Sequence, residues 1–149
     1  MASERAGHAR AKASAWLALR DAIRGAGLPC EAFDGMAVRI DDMTVYEPDA
    51  SVRCGPRLDD DVVEFSDPVV VVEVLSPATR ARDAGAKLAD YFRLPSVRHY
   101  LILRFDTRTA IHHARGEDGV ITTRILTEGA LRLEPPGIAV ALGDVFGAG

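Results

Sequence analysis

The segment Pro68-Val69-Val70-Val71-Val72-Glu73-Val74-Leu75-Ser76 decides the fold of this 149-residue chain. Its run of β-branched residues is typical of a strand that is buried on both faces of a sheet. An ionised carboxylate within such a strand is energetically costly unless a cation or hydrogen-bond donors compensate its charge. Glu73 is therefore either a structural glutamate paired with an arginine or a functional acid.

The elements around this strand indicate an α+β fold. Helical spacing of apolar residues predicts helices over 8–26 and 82–94. Apolar segments that are bounded by turn residues predict the strands, and the polar stretch 55–67 is predicted to be a loop. This order predicts a mixed sheet with helices on its faces, an α/β/α-like arrangement. The predicted strands are 31–40 with a turn or bulge at Asp34-Gly35, 45–54, 69–75, 98–104, 109–114 and 120–126.

The composition limits the cellular setting and the partners. The apolar fraction of 48% and the length fit a single domain over 1–149. The net charge of −4 and the pI of about 5.5 argue against binding of polyanions through bulk charge. The apolar stretches are too short for a membrane span, and no signal peptide is visible. We therefore expect a cytoplasmic protein whose two cysteines, Cys30 and Cys54, are reduced and buried.

Three residues form a candidate catalytic constellation. Asp49 and Glu73 come from separate strands, and if these strands pair, both carboxylates reach one ion. Carboxylate and carbonyl oxygens suit Mg²⁺ or Mn²⁺ better than Zn²⁺. Lys87 lies on the second predicted helix, where its ammonium could orient a water or stabilise charge on a phosphate.

Each candidate also has a structural interpretation. An aspartate that follows a proline, as Asp49 does, is common at a turn. Lys87 has the spacing of an exposed i,i+4 pair with Asp83. His112 and His113 are adjacent on a predicted strand and so point to opposite faces, which makes them a poor chelating pair. We expect both histidines at the surface.

The chain contains, in this order, Pro48-Asp49, Val72-Glu73-Val74-Leu75-Ser76-Pro77, Asp83, Lys87 and Tyr91. In these motifs it resembles the Uma-type family of bacterial "putative restriction endonucleases", which belongs to the PD-(D/E)XK nuclease superfamily. The resemblance extends over most of the chain, from residue 8 onward. It implies a restriction-endonuclease-like core, hydrolysis of phosphodiester bonds in nucleic acid (DNA in the first instance) and a Mg²⁺ or Mn²⁺ site. The implied metal ligands are Asp49, Glu73 and the carbonyl of Val74, and Arg80 and Arg82 are candidates for phosphate contacts or for an exposed basic loop.

Two departures from the family pattern leave two hypotheses open. The superfamily lysine normally lies two residues after the acid, where this chain has Leu75, so Lys87 is its expected replacement. The usual N-terminal segment with a further acidic residue is expected to be absent, with Glu4 as a candidate substitute. The first hypothesis is a Mg²⁺-dependent endonuclease, with a homodimer as an open option. The second is a catalytically decayed module for binding or assembly.

Overall fold

The structure is a computed structural model that describes residues 4–76 and 81–147, without the side chains of residues 81–84. The helices within these ranges are α1 (Ala6–Ala26), α2 (Ala81–Tyr91) and α3 (Leu142–Phe146). The strands are β1 (Cys30–Phe33), β2 (Ala37–Asp41), β3 (Thr44–Tyr46), β4 (Ala50–Cys54), β5 (Glu64–Phe65), β6 (Val70–Leu75), β7 (His99–Arg104), β8 (Thr109–Arg115), β9 (Ile121–Leu126), β10 (Ala130–Leu133) and β11 (Ile138–Ala141).

A six-stranded mixed sheet forms the centre of the molecule, with the strand order β1-β4-β6-β7-β8-β9. β6 and β7 are parallel, and the other neighbouring strands of this sheet are antiparallel. A parallel pair requires a long crossover connection, and here that connection contains α2. The carboxyl ends of β6 and β7 consequently lie side by side.

One face of the sheet packs against α1, α3 and the β10–β11 hairpin. α1 has an apolar stripe at helical spacing that includes Ala15, Leu19 and Ile23. This stripe belongs to one buried cluster with Val70 and Val72 of β6. α1 ends at Gly27, whose φ of 64° places it in the left-handed region that glycine adopts without strain.

The opposite face packs against α2 and a small sheet with the order β3-β2-β5. Val71 and Leu75 of β6 belong to this second cluster, together with Tyr91 and Tyr100. Because alternate side chains of a strand point to opposite faces, Glu73 points to the same side as Val71 and Leu75. The central carboxylate therefore faces α2.

Arg115, at the end of β8, holds the segment that follows α2 through hydrogen bonds. Its guanidinium donates hydrogen bonds to the carbonyl oxygens of Phe92 at 2.8 Å, Leu94 at 2.8 Å and Val97 at 2.5 Å. The same group lies 5.2 Å from the ring centroid of Phe92. One side chain thus ties several carbonyl groups of the segment after α2 to the end of β8.

Two predicted strands are each divided in the structure. The predicted turn or bulge at Asp34-Gly35 falls between β1 and β2, but it makes neither a hairpin nor a bulge, because β1 pairs with β4 whereas β2 pairs with β3 and β5. Gly35, with a φ of 73°, lies where the chain leaves one sheet for the other. The predicted strand over 45–54 is divided in the same way around Pro48, which has no N–H to donate to a ladder.

The cysteines and one histidine also differ from the predictions. Cys30 and Cys54 lie directly opposite each other on β1 and β4 and form a disulfide, so the expectation of reduced thiols is wrong. His112 is 5% exposed and therefore not a surface residue. It pairs with His99, which in turn bonds to the carbonyl of Pro135.

None of the described helices is both long enough and apolar enough to cross a lipid bilayer.

Candidate functional site

Glu73 lies in the middle of β6 with only 8% of its side chain exposed. Burial raises the pKa of its carboxyl to about 7, the nearby ammonium of Lys87 opposes this shift, and the charge of Asp49 adds to it. The hydroxyl of Tyr91 donates a hydrogen bond to Glu73 Oε1 at 3.1 Å. Glu73 is therefore a buried acid that titrates near neutral pH.

Asp49 lies beside Glu73 because of the pairing between β4 and β6. Ala50 is opposite Val72 in this pairing, so the residue before Ala50 comes next to the residue after Val72. The Asp49 carboxylate accepts a hydrogen bond from the backbone N–H of Val74 at 2.7 Å. Burial raises the pKa of Asp49, and the Val74 hydrogen bond partly offsets this rise.

Lys87 extends from α2 toward the two acids. Its ammonium nitrogen lies 3.5 Å from Glu73 Oε1 and 5.4 Å from the ring centroid of Tyr46. The ammonium is thus held between a carboxylate and an aromatic face. Tyr46 in turn donates a hydrogen bond to Asp90, one turn further along α2, which joins this helix to β3.

The amino end of α1 supplies a second set of charged groups. His8 Nε2 lies 2.8 Å from the carbonyl oxygen of Val74, and His8 Nδ1 lies 2.8 Å from Glu4 Oε1. A carbonyl and a carboxylate only accept hydrogen bonds, so both contacts are satisfied when the imidazole carries a proton on each nitrogen. Glu4 also binds the ammonium of Lys12, and this contact lowers the pKa of Glu4.

The structure brings the side chains of Asp49, Glu73 and Lys87 together with the backbone of Val74. Both backbone groups of Val74 are held, since its N–H bonds to Asp49 and its carbonyl to His8. The roles of these residues in metal binding and catalysis stay predictions. Arg80 and the side chain of Arg82 lie outside the described residues.

The donor atoms of this cluster fit a hard divalent cation. Two carboxylates and a carbonyl are all oxygen donors, as Mg²⁺ and Mn²⁺ prefer. A cation here would compensate the mutual repulsion of Asp49 and Glu73, which contributes to the raised pKa of Glu73. In the described part of the chain no three His, Cys, Asp or Glu side chains are grouped to hold a metal. The remaining positions would thus fall to water and substrate oxygens, as is usual for Mg²⁺.

Comparison with known proteins gives the family. The model of the Uma2 family, described as "Putative restriction endonuclease", matches residues 1–143. The chain belongs to the Uma2 family. This match confirms the family that was predicted from the motifs around Asp49, Glu73 and Lys87.

Two individual proteins extend this comparison. The Uma2 chain is 29% identical over 100 residues to the "Uncharacterized protein slr1290" of Synechocystis sp., and the match covers 66% of the chain and 53% of that protein. The chain thus spans about half the length of this curated relative. A crystal structure of "a putative nuclease belonging to DUF820" from Anabaena variabilis superposes with a TM-score of 0.79, at 14% identity, over 97% of this chain and 83% of that one. This likeness confirms the predicted fold class.

Some of the residues that surround the acids of this Uma2 protein were not predicted to belong to the site. His8 was expected only to begin the first helix, and Lys12 had no predicted role. The signal was present, since Glu4, His8 and Lys12 follow one another at intervals of one helical turn. Tyr91 was named only as part of the family pattern, yet its buried hydroxyl bonds to Glu73.

Proposed function

We propose that this protein is a Mg²⁺-dependent endonuclease of the PD-(D/E)XK type that hydrolyses phosphodiester bonds, with DNA as the substrate. The observation that carries the proposal is the convergence of Asp49, the buried Glu73 and Lys87 where β4, β6 and α2 meet. Membership of a family described as restriction endonucleases supports the same substrate class.

The residues have separate roles in this proposal. Asp49, Glu73 and the Val74 carbonyl would hold Mg²⁺ or Mn²⁺. When bound, such an ion polarises a phosphate and lowers the pKa of water. Lys87, next to Glu73, orients the attacking water and places a positive charge beside the phosphate. Asp49 fixes the Val74 backbone through its hydrogen bond to the N–H group.

The position of Leu75 explains why a lysine on α2 takes this role. Leu75 is 8% exposed and packs in the cluster beneath α2. A lysine at position 75 would replace these apolar contacts and bring a charge into the cluster, which is costly. Lys87 reaches Glu73 from the solvent side and keeps 34% of its side chain exposed.

A plasmid nicking assay with Mg²⁺ or Mn²⁺ tests the proposal. Glu73→Gln keeps the size of the side chain and removes its charge, and we expect cleavage to fall by more than about 100-fold. Lys87→Met should also lose most of the activity. Glu117→Gln, an exposed residue in the turn between β8 and β9, is the matched control and should cleave like the wild type. Cleavage by Glu73→Gln at the wild-type rate would refute the proposal.

A non-catalytic binding or assembly module is the second candidate. The observation in its favour is that Lys87 already pairs with Glu73 and that His8 already occupies the Val74 carbonyl. The charges are thus partly compensated by the chain itself. This candidate predicts no cleavage by the wild type with either ion.

The proposal carries a cytoplasmic location with it, because bacterial DNA lies in that compartment. Cytoplasmic thiols are ordinarily reduced, and the Cys30–Cys54 bridge departs from this rule. Alkylation of free thiols in freshly lysed cells, followed by mass spectrometry, would report the state of this pair. Complete oxidation in rapidly quenched cells would argue for a more oxidising compartment.

A further inference from the structure

β9 is the last strand of the central sheet, and its free edge contacts no other strand in the described ranges. Five of its six residues are exposed and the sixth is half-buried. Two of the exposed residues are large and apolar: Ile121 at 39% exposure and Ile125 at 71%. Val120, just before the strand, is 56% exposed. An open edge with apolar side chains is a template for pairing with another strand.

The opposite edge of the sheet is protected. On β1, the carbonyl of Ala32 accepts a hydrogen bond from the indole of Trp16 at 3.0 Å, so α1 covers part of that edge. The Cys30–Cys54 disulfide further fixes β1 to β4. β9 carries one charged residue, Arg124, but it contains neither lysine nor proline and pairs with β8 without a bulge over its whole length.

The hydrogen-bond pattern shows which groups of β9 point to the open edge. The N–H of Gly116 donates to the carbonyl of Val120 in the turn that joins β8 to β9. Antiparallel strands alternate between hydrogen-bonded and non-hydrogen-bonded pairs, so the next residues bonded to β8 are 122, 124 and 126. The backbone N–H and C=O groups of residues 121, 123 and 125 therefore point outward.

We propose that β9 pairs antiparallel with β9 of a second copy of this chain, with Thr123 facing Thr123 on the two-fold axis. In this register Ile121 lies opposite Ile125 of the second copy, and the three outward-facing residues of each strand form hydrogen-bonded pairs. Such an interface is isologous, because each copy contributes the same surface. The two central sheets would join into one sheet of twelve strands.

Charge and side-chain shape favour a second copy as the occupant. The single charge of β9, Arg124, would lie opposite Thr122 of the second copy, so no like charges meet across the junction. Pairs of β-branched residues across antiparallel strands are stabilising, and this register supplies three of them: Ile121 with Ile125 in both directions, and Thr123 with Thr123. The strand by itself gives an interface near the lower size limit of stable complexes, so we expect dissociation on dilution.

Sedimentation equilibrium of the full chain tests the pairing. We expect a wild-type dimer at high micromolar concentration that dissociates at nanomolar concentration. Ile125→Lys places two charges near the junction and should be monomeric throughout, with an unchanged circular dichroism spectrum. Val63→Lys makes the same change at another exposed apolar residue, 79% exposed, and should dimerise like the wild type. A monomeric wild type at high concentration would overturn the proposal, as would equal dimerisation of the two variants.

Cross-linking tests the register. Both native cysteines are in the disulfide, so Thr123→Cys introduces the reactive thiol, and a short bismaleimide should join two copies in high yield. Val63→Cys is the control and should give little product. Equal yields from both variants would refute a junction centred on Thr123. Glu73→Gln should leave dimerisation unchanged, so a failed nuclease assay and a failed pairing are distinguishable.

Discussion

At the scale of single residues, Glu73 connects the stability of the protein with its proposed activity. A carboxyl group that titrates near pH 7 on the folded chain has a higher affinity for protons there than on the unfolded chain, where its pKa is ordinary. The same carboxylate that could hold a cation therefore weakens the fold when it is charged and uncompensated. This behaviour predicts how stability changes with pH.

The first prediction concerns this linkage. Between about pH 4.5 and 7 the folded state binds more protons at Glu73 than the unfolded state, so its contribution to stability falls as the pH rises. The loss should reach about 3 kcal/mol by pH 8 in the absence of divalent ions. Glu73→Gln lacks this titration. The free energy of unfolding of the variant minus that of the wild type should therefore increase from pH 5 to pH 8. Urea unfolding at both pH values measures the difference, and a constant difference would contradict the assigned pKa.

The second prediction uses two buried tyrosines whose ring centroids are 5.3 Å apart. The Tyr91 hydroxyl donates to Glu73 and lowers its pKa, so Tyr91→Phe should raise that pKa above about 7. It should also cost roughly 1.5–3 kcal/mol of stability at pH 8, where Glu73 is charged. The Tyr100 hydroxyl has no hydrogen-bond partner among the described residues, so Tyr100→Phe is the control. Carboxyl NMR titration that shows equal shifts in both variants would contradict this assignment.

Residue-scale prediction from sequence succeeded for proximity and failed for burial. The placement of Asp49 and Glu73 on adjacent strands followed from their two apolar segments, and the structure has this arrangement. The predicted exposure of His112 was wrong. Alternation along a strand specifies only the face to which a side chain points. Whether that face is covered depends on the turn at Pro135, which contacts His99 and comes from a distant part of the chain.

At the scale of secondary-structure elements, local pattern determined most of what the sequence could predict. The apolar run of β6, the helical stripe of α1 and the turn signal between β8 and β9 each lie within a short window, and the structure contains all three elements. The exchange of strands between two sheets near Gly35 and Pro48 depends on which distant strand pairs with each segment. No local period carries that information.

The third prediction concerns the bond between β1 and β4. The Cys30–Cys54 disulfide closes a loop across a sequence separation of 24, so its removal should increase the entropy of the unfolded chain and cost about 3 kcal/mol. The double variant Cys30→Ser/Cys54→Ser should therefore melt at a lower temperature than the oxidised wild type. Reduced wild type should behave like the variant. Identical melting of oxidised and reduced wild type would show that the bond does not stabilise the fold.

At the scale of the whole molecule, a divalent cation is expected to stabilise the fold through the proposed site. An ion that binds only the folded state adds about 2.7 kcal/mol when its concentration is 100 times its dissociation constant. For a domain of this size the melting temperature should rise by roughly 5–10 °C. Differential scanning calorimetry with Mg²⁺ or Mn²⁺ and with EDTA gives this value, and the Glu73→Gln variant should show little of the rise. An equal rise in the variant would place the ion elsewhere.

The hydrogen bonds of Arg115 fix the carboxyl end of α2, so any tilt of this helix would turn about that end. The guanidinium ties the segment after the helix to β8 through several carbonyl groups, so that end cannot slide along the sheet without breaking them together. When a helix is fixed at one end and tilts, the residues near the fixed end move least. Lys87 lies about one turn before the last residue of α2, and so close to the fixed end. Swinging the far end of α2 would displace the Lys87 ammonium much less than the first turn of the helix. The distance between Lys87 and Glu73 should therefore change little when the amino end of α2 moves.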